Sequence, residues 1–228
     1  MRIGVLEDDV ELAGELDGLL TGAEHRCFPF HSGQKLINFL RHETVDLLLI
    51  DWNVPDVSGI AVVRWVQENL EVRPPILMLT SRTEEEDIVA ALTAGADDYV
   101  VKPLQPNVLL ARIESIRRRA YPEPRMGTVE RYGEYIFDLR LENVRLRGLE
   151  IVLTAKEFAL ALMLFRNLHR ALSRSYIFEA LWGRNPDLQT RTLDSHISKV
   201  RTKLNLRPEN GLKLVPVYAY GYRLEAIT

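Results

Sequence analysis

At 228 residues the chain has room for two ordinary domains, each with its own core. A hydrophobic fraction of 46% with 27% charged residues excludes a disordered chain, and every apolar run is strand-sized, too short to span a bilayer. The single Cys27 excludes an internal disulfide and a cysteine-built zinc site, and the start MRIGVLEDDVEL turns acidic too early for a secretory signal, so a cytosolic protein is expected.

The net charge of −3 hides a split: residues 1–125 carry 13 Lys+Arg against 21 Asp+Glu, and residues 126–228 carry 16 against 11. An acidic half joined to a basic half points to two tasks, the basic one compatible with nucleic-acid binding.

In the first half, apolar runs at Ile3–Leu6, Cys27–Phe30, Leu47–Ile50, Ile76–Leu79 and Tyr99–Val101 alternate with amphipathic stretches near 10–20, 33–42, 59–70, 84–94 and 106–119. Five strand–helix units predict a parallel sheet with helices on both faces. Arg117, Arg118 and Arg119 close the last helix, where positive charge meets the negative end of its dipole. The stretch AYPEPRMG, Ala120 to Gly127, reads as a linker. The expected division is 1–120, a linker at 121–127, and 128–228.

The second half changes character. Tyr132 to Leu153 alternates like short antiparallel strands, and TAKEFALALMLFRNL opens with the capping box Thr154 and Glu157 before an apolar helix. A second helix is expected near Ser173–Leu181 and a third, basic one at Thr190–Leu204, carrying Arg191, Lys199, Arg201 and Lys203. The terminal LKLVPVYAYGYRLEAI reads as a β-hairpin, which completes a winged helix-turn-helix pattern.

Sites on open parallel sheets form beyond the carboxyl ends of the strands. Glu7, Asp8 and Asp9 follow the first run, Thr80 ends the fourth, and Lys102 follows the fifth. In DLLLIDWNVPDVSG four large apolar residues end on Asp51, an acid beside a core that needs a partner. Crowded carboxylates repel, and a hard divalent cation with oxygen ligands, such as Mg²⁺, resolves this. Lys102 and Thr80 would favour an anion at the same edge. An ionised Asp51 there can be a nucleophile toward a phosphoryl donor, with the metal and Lys102 stabilising the transferred charge.

The motifs VLEDD, LLLIDWNVPDVSG, ILMLTSR and GADDYVVKP resemble response-regulator receiver domains over about residues 1–120. LTAKEFALALML, LSRSYIFEALWG, RTLDSHISKVRTKL and GYRL resemble the OmpR/PhoB-type winged-helix effector over about residues 127–226. The resemblance implies a flavodoxin-like (βα)5 α/β receiver followed by a winged helix. It implies Asp51 as phosphoacceptor and Glu7, Asp8, Asp51 and the Asn53 backbone carbonyl as Mg²⁺ ligands. Thr80 becomes the switch hydroxyl, Tyr99 the switch aromatic and Lys102 the phosphate-pairing lysine, with a cis Lys102–Pro103 bond. Arg82 and Asn53 occupy positions that tune the lifetime of the aspartyl phosphate. Asp9 matches no ligand position and is expected to be an exposed cap.

The same resemblance implies a dimer through the fourth helix, fifth strand and fifth helix, with Asp98–Arg112 and Asp97–Arg119 as cross-subunit pairs. A third customary pair is replaced by Ile88 and Val108, which either make an apolar contact or only extend local packing. DNA-contact candidates are Arg191, Ser198, Lys199, Arg201, Lys203 and Arg223. The wing PVYAYGYRL departs from the family: Tyr218 replaces an arginine and Ala219 a glycine. Tyr218 either touches sugar and backbone or meets a protein partner, while Tyr220 is expected to pack the hairpin. His196 either bonds a phosphate or packs inward. His25, His31, His42 and His169 show no ligand spacing. The loop Arg184–Gln189 can touch RNA polymerase by the resemblance.

The expected function is that of a phosphorylation-controlled transcription regulator, a non-enzyme whose partners are a sensor histidine kinase and double-stranded DNA. Two other readings stand beside it: a phosphorylation-independent DNA-binding regulator, and an Asp-nucleophile phosphohydrolase. The last is disfavoured because Asn53 stands where such enzymes place an acid/base aspartate.

Overall fold

The computed structural model describes residues 1–81, 85–122, 127–183 and 191–227, with Arg191 described by its backbone alone. Arg82, Thr190, the loop Arg184–Gln189 and the Arg191 side chain therefore lie outside the described residues. The chain forms two compact units, Met1–Glu123 and Pro124–Thr228.

The first unit holds β1 (Arg2–Leu6), α1 (Val10–Gly22), β2 (Arg26–Phe30), α2 (Gly33–Leu40), β3 (Leu47–Asp51), α3 (Gly59–Asn69), β4 (Ile76–Thr80), α4 (Glu85–Ala94), β5 (Asp98–Val101) and α5 (Pro106–Ala120). The strands form one parallel sheet in the order β2-β1-β3-β4-β5. Side chains alternate across a strand, so the run Leu47–Ile50 serves two cores. Leu48 and Ile50 pack with Leu36, Ile37, Val62 and Val66 on one face, and Leu47 and Leu49 with Leu16, Leu20, Leu109 and Ile113 on the other. This two-sided burial explains why the central strands read as unbroken apolar runs.

Asp9 caps α1, accepting from the Glu11 and Leu12 amides at 2.9 and 3.2 Å, as the sequence led one to expect. The Arg117–Arg119 run occupies the last turn of α5. The strand order reverses direction about β1, which places the crevice between the ends of β1 and β3.

The second unit begins with an antiparallel sheet of β6 (Val129–Tyr132), β7 (Tyr135–Asp138), β8 (Asn143–Leu146) and β9 (Leu149–Ile151). α6 (Ala155–Arg166) follows, and both halves of the Thr154/Glu157 capping box are made. Next come β10 (Leu172–Ser173), α7 (Arg174–Trp182), α8 (Arg191–Lys203), β11 (Leu212–Val217) and β12 (Gly221–Ala226), with strand order β10-β12-β11. The core carries an aromatic cluster in which Phe165 meets Tyr132, Tyr135 and Phe137 at centroid distances of 5.3, 5.1 and 4.8 Å. Leu193, Ile197 and Val200 form the buried stripe of α8, continued by Leu204 just past its end, leaving the opposite face of that helix in solvent.

Candidate functional site

Glu7, just past β1, and Asp51, ending β3, are buried, while Asp8 is exposed. One ligand oxygen from each lies within 4.8 Å of the others. Lys102, past β5, closes the group, its ammonium 2.7 Å from Glu7 Oε2 and 3.2 Å from Asp51 Oδ1. Buried Thr80 ends β4, and its carbonyl accepts from the Lys102 amide at 2.7 Å. The Lys102–Pro103 peptide is cis.

The electrostatics follow from burial. Loss of solvent pushes the Glu7 carboxyl above the usual range; the Lys102 hydrogen bond opposes this and the charge of Asp51 adds to it. Asp51 is likewise raised by burial, against the pull of Lys102. Burial acts to lower Lys102, but its bonds to Glu7 and Asp51 outweigh that and leave it above its ordinary value. One lysine thus serves two buried acids with a third acid beside them. All the donors are carboxylate oxygens, a set that suits a hard cation.

Gly59 lets the β3–α3 turn close tightly: its amide donates to the Trp52 carbonyl at 3.0 Å, and a Cβ there would lie 2.0 Å from the Asp51 carbonyl oxygen. Asn53 in this turn is exposed. Asp56, which sequence reasoning missed, accepts from Ser32 Oγ at 2.6 Å and from the Gly33 and Gln34 amides at 2.9 and 3.0 Å. These bonds hold its carboxyl well below the usual range and pin the acceptor loop to the start of α2. His31 also lies near, Nδ1 2.8 Å from the Glu7 carbonyl oxygen. Its distance in sequence from the acids hid this.

On the other side of the sheet edge, Tyr99 is half-buried in β5. Asp98 and Arg112, expected to pair across subunits, are bonded to each other within the chain at 2.7 and 3.0 Å. They are neighbours because β5 and α5 bring them to one face. Asp97 accepts from the Ile76 amide at 2.8 Å, Arg119 is exposed, Ile88 is half-buried and Val108 is 41% exposed.

The exposed face of α8 presents Ser195, Ser198, Lys199 and Thr202; Ser195 and Thr202 were missed because small hydroxyl residues carry no charge signal. Three expected DNA cations are engaged inside the unit. Lys203 binds Glu157 Oε2 at 2.7 Å, Arg201 donates to the Leu214 carbonyl at 3.2 Å, and Arg223 pairs with Glu225 at 2.5 Å. The sequence could not show this, since Glu157 is 46 positions from Lys203. His196 packs rather than projecting: Nδ1 lies 2.8 Å from the Thr192 carbonyl and its ring meets Trp182 edge-on at 5.1 Å. Tyr218 stands 98% exposed on the hairpin tip, while Tyr220 is half-buried.

A second network was not foreseen. Arg174, opening α7, lies 2.7 Å from Asp194 of α8, and the Tyr222 hydroxyl of β12 donates to the same carboxylate oxygen at 2.5 Å. Arg174 also donates to the Tyr222 oxygen at 3.3 Å. Burial would raise Asp194, but the bonds from Tyr222 and Arg174 prevail and hold it below the usual carboxylate value.

A doubly wound sheet with acids and a lysine at its carboxyl edge, joined to a winged helix, defines a two-component response regulator with a DNA-binding output. Residues 3–114 match the response regulator receiver domain, and residues 148–224 match the C-terminal domain of transcriptional regulatory proteins. The chain is 35% identical over 226 residues to the phosphate regulon transcriptional regulatory protein PhoB of Rhizobium meliloti, covering 99% of each. It is 33% identical to the DNA-binding response regulator MtrA of Mycolicibacterium smegmatis, covering 97% of this chain and 96% of that one. A two-component response regulator from Clostridium difficile shares the receiver fold, with a TM-score of 0.50 and 24% identity over 52% of this chain and 97% of that one. The protein belongs to the OmpR/PhoB family of response regulators and is a DNA-binding transcription regulator of a two-component system.

Among the described residues, no helix is long and apolar enough to cross a membrane.

Proposed function

We propose that Asp51 accepts a phosphoryl group from a sensor histidine kinase and that this change controls dimerisation and DNA binding. The observation that carries the reading is the meeting of Glu7, Asp8, Asp51 and Lys102 at one sheet edge. An Asp51 oxygen bonds to phosphorus as the phosphorus–nitrogen bond of the kinase phosphohistidine breaks and the imidazole takes the electron pair. Lys102, already at Asp51, neutralises charge on the arriving group. Glu7, Asp8, Asp51 and the Asn53 carbonyl would hold Mg²⁺, which when bound offsets negative charge on the phosphoryl oxygens.

Thr80 then bonds the phosphoryl group and Tyr99 moves with it, biasing the face formed by α4, β5 and α5. Ile88 and Val108 supply apolar contact there, and Asp97, Asp98, Arg112 and Arg119 the charge. For Arg112 to pair across subunits, its internal bond to Asp98 must be shared or exchanged. The dimer sets two winged helices on direct-repeat DNA, read by Ser198 and Lys199 with Arg191, and by the family resemblance the segment Arg184–Gln189 would be the part that meets RNA polymerase. The setting is the cytoplasm, where kinase domain and chromosome are both within reach.

The test is treatment with acetyl phosphate or beryllofluoride plus Mg²⁺, comparing wild type with Asp51→Asn. Sedimentation should show dimers, and titration tighter DNA binding, for wild type alone. An identical response in both proteins sinks the switch mechanism.

A further inference from the structure

We propose that Asp194 sets DNA specificity by withholding Arg174 from the phosphate backbone. Arg174, Asp194 and Tyr222 belong to three elements, α7, α8 and β12, which meet beside the first turn of the recognition helix. The pairing β10–β12 places Ser173 opposite Gly221, so the start of α7 and the wing strand are neighbours at this point. Arg174 is the cation of this junction, and its guanidinium is bonded to a carboxylate and to the hydroxyl beside it.

The side chains are 36% and 50% exposed, so the pair is open to solvent and contributes little to stability. Its consequence for DNA is larger. A cation gains affinity for duplex DNA by displacing condensed counterions, and this sequence-independent term supplies nearly all non-specific binding. Arg174 is already neutralised and adds little to that term. Drawing it onto a phosphate also strands the Asp194 carboxylate, on the DNA-reading helix, beside a polyanion. Non-specific DNA offers nothing to offset the repulsion, whereas a cognate site adds base contacts to Ser195, Ser198, Lys199 and Thr202. The carboxylate therefore weakens wrong complexes more than right ones.

The Lys203–Glu157 and Arg223–Glu225 pairs act in the same direction, so that among the described side chains Lys199 is an exposed cation of α8 with no acid bonded to it, whereas exposed Lys203 is held by Glu157. Asp194 differs from these acids in standing on the recognition helix itself.

The full chain is titrated against a labelled mixed-sequence duplex across roughly 50 to 200 mM salt, where log affinity falls linearly with log salt. Asp194→Asn should bind this duplex several-fold more tightly and steepen the slope by about one, the signature of one more phosphate contact. Adding Arg174→Gln to that variant should remove the gained unit. Arg174→Gln alone should weaken binding, because it leaves the Asp194 carboxylate unpaired beside the polyanion, and adding Asp194→Asn should restore the wild-type affinity and slope. An Asp194→Asn slope equal to wild type overturns the proposal. So does an affinity lost in Arg174→Gln that the double variant does not recover, because the wild-type Arg174 would then already be on a phosphate.

Discussion

Glu7, Thr80 and Asp51 are 1%, 4% and 5% exposed, whereas Tyr218 is 98% exposed and Ser198 and Lys199 also stand in solvent. The first unit gathers ionisable groups where water is scarce, and the second spreads its proposed DNA-reading groups over a surface. Burial makes each charge act strongly on its neighbours, as the proposed phosphoryl transfer requires, and leaves Glu7 and Asp51 above their usual pKa. Recognition of a polyanion needs reach, so its cost is control of charge rather than desolvation. The second unit meets that need by pairing Arg174, Lys203 and Arg223 with acids.

The contrast predicts that the two units lose stability separately. Phe165 is 2% exposed and joins three other rings of the effector core. Phe165→Ala should cost about 3–5 kcal/mol in that unit through lost burial and the cavity left behind. Calorimetry or denaturant melts should show the effector transition fall while the receiver transition stays. A common shift of both would break the separation.

What the sequence disclosed divides along the same line. Asp51 was legible because an acid ending a two-sided apolar strand has few structural reasons to be there, and three other strand ends carried matching groups, Glu7 with Asp8, Thr80 and Lys102. The helices of the second unit were legible from their caps and periodicity, down to both partners of the Thr154/Glu157 box. The fates of Arg201, Lys203 and Arg223 were not, because charge in a sequence does not say which acid or carbonyl folding brings near. The intrachain bond between Arg112 and Asp98 was hidden for the same reason, since charge alone does not say which acid lies beside an arginine within the chain. Small residues such as Ser195 gave no signal until the buried stripe of α8 fixed its open face.

A second prediction concerns pH and belongs to the effector alone. The buried Tyr135 hydroxyl donates to the Leu204 carbonyl at 2.8 Å, and burial pushes the phenol up to about 12. The folded value lies above the ordinary value of about 10. Its contribution is therefore complete below pH 10 and is lost as pH rises through 12. The wild-type effector transition should weaken by on the order of 2–3 kcal/mol over that window. Tyr135→Phe should lack this component, and the difference between the two melts isolates it. Parallel curves for the two proteins would show that the phenol stays protonated in neither state or in both.

The smallest expected effects come from a reciprocal pair of misfit residues, one in each unit. Gly18 lies within α1, where glycine loses more backbone freedom than alanine, and a Cβ there would meet nothing within 4 Å. Gly18→Ala should raise the receiver transition by about 0.5–1 kcal/mol and leave the effector unmoved. Ala219 presents the opposite case: at the hairpin tip its φ is +53°, a left-handed conformation that crowds an alanine Cβ against the backbone. Ala219→Gly relieves that crowding but gives the unfolded chain more freedom, so the net gain should be about 1 kcal/mol or less. It should appear in the effector transition only. If DNA affinity also changes while the salt slope holds, the rigidity of the tip, and not its charge, is what the wing contributes to binding. If affinity is untouched, the left-handed backbone at Ala219 is a matter of effector stability and not of binding.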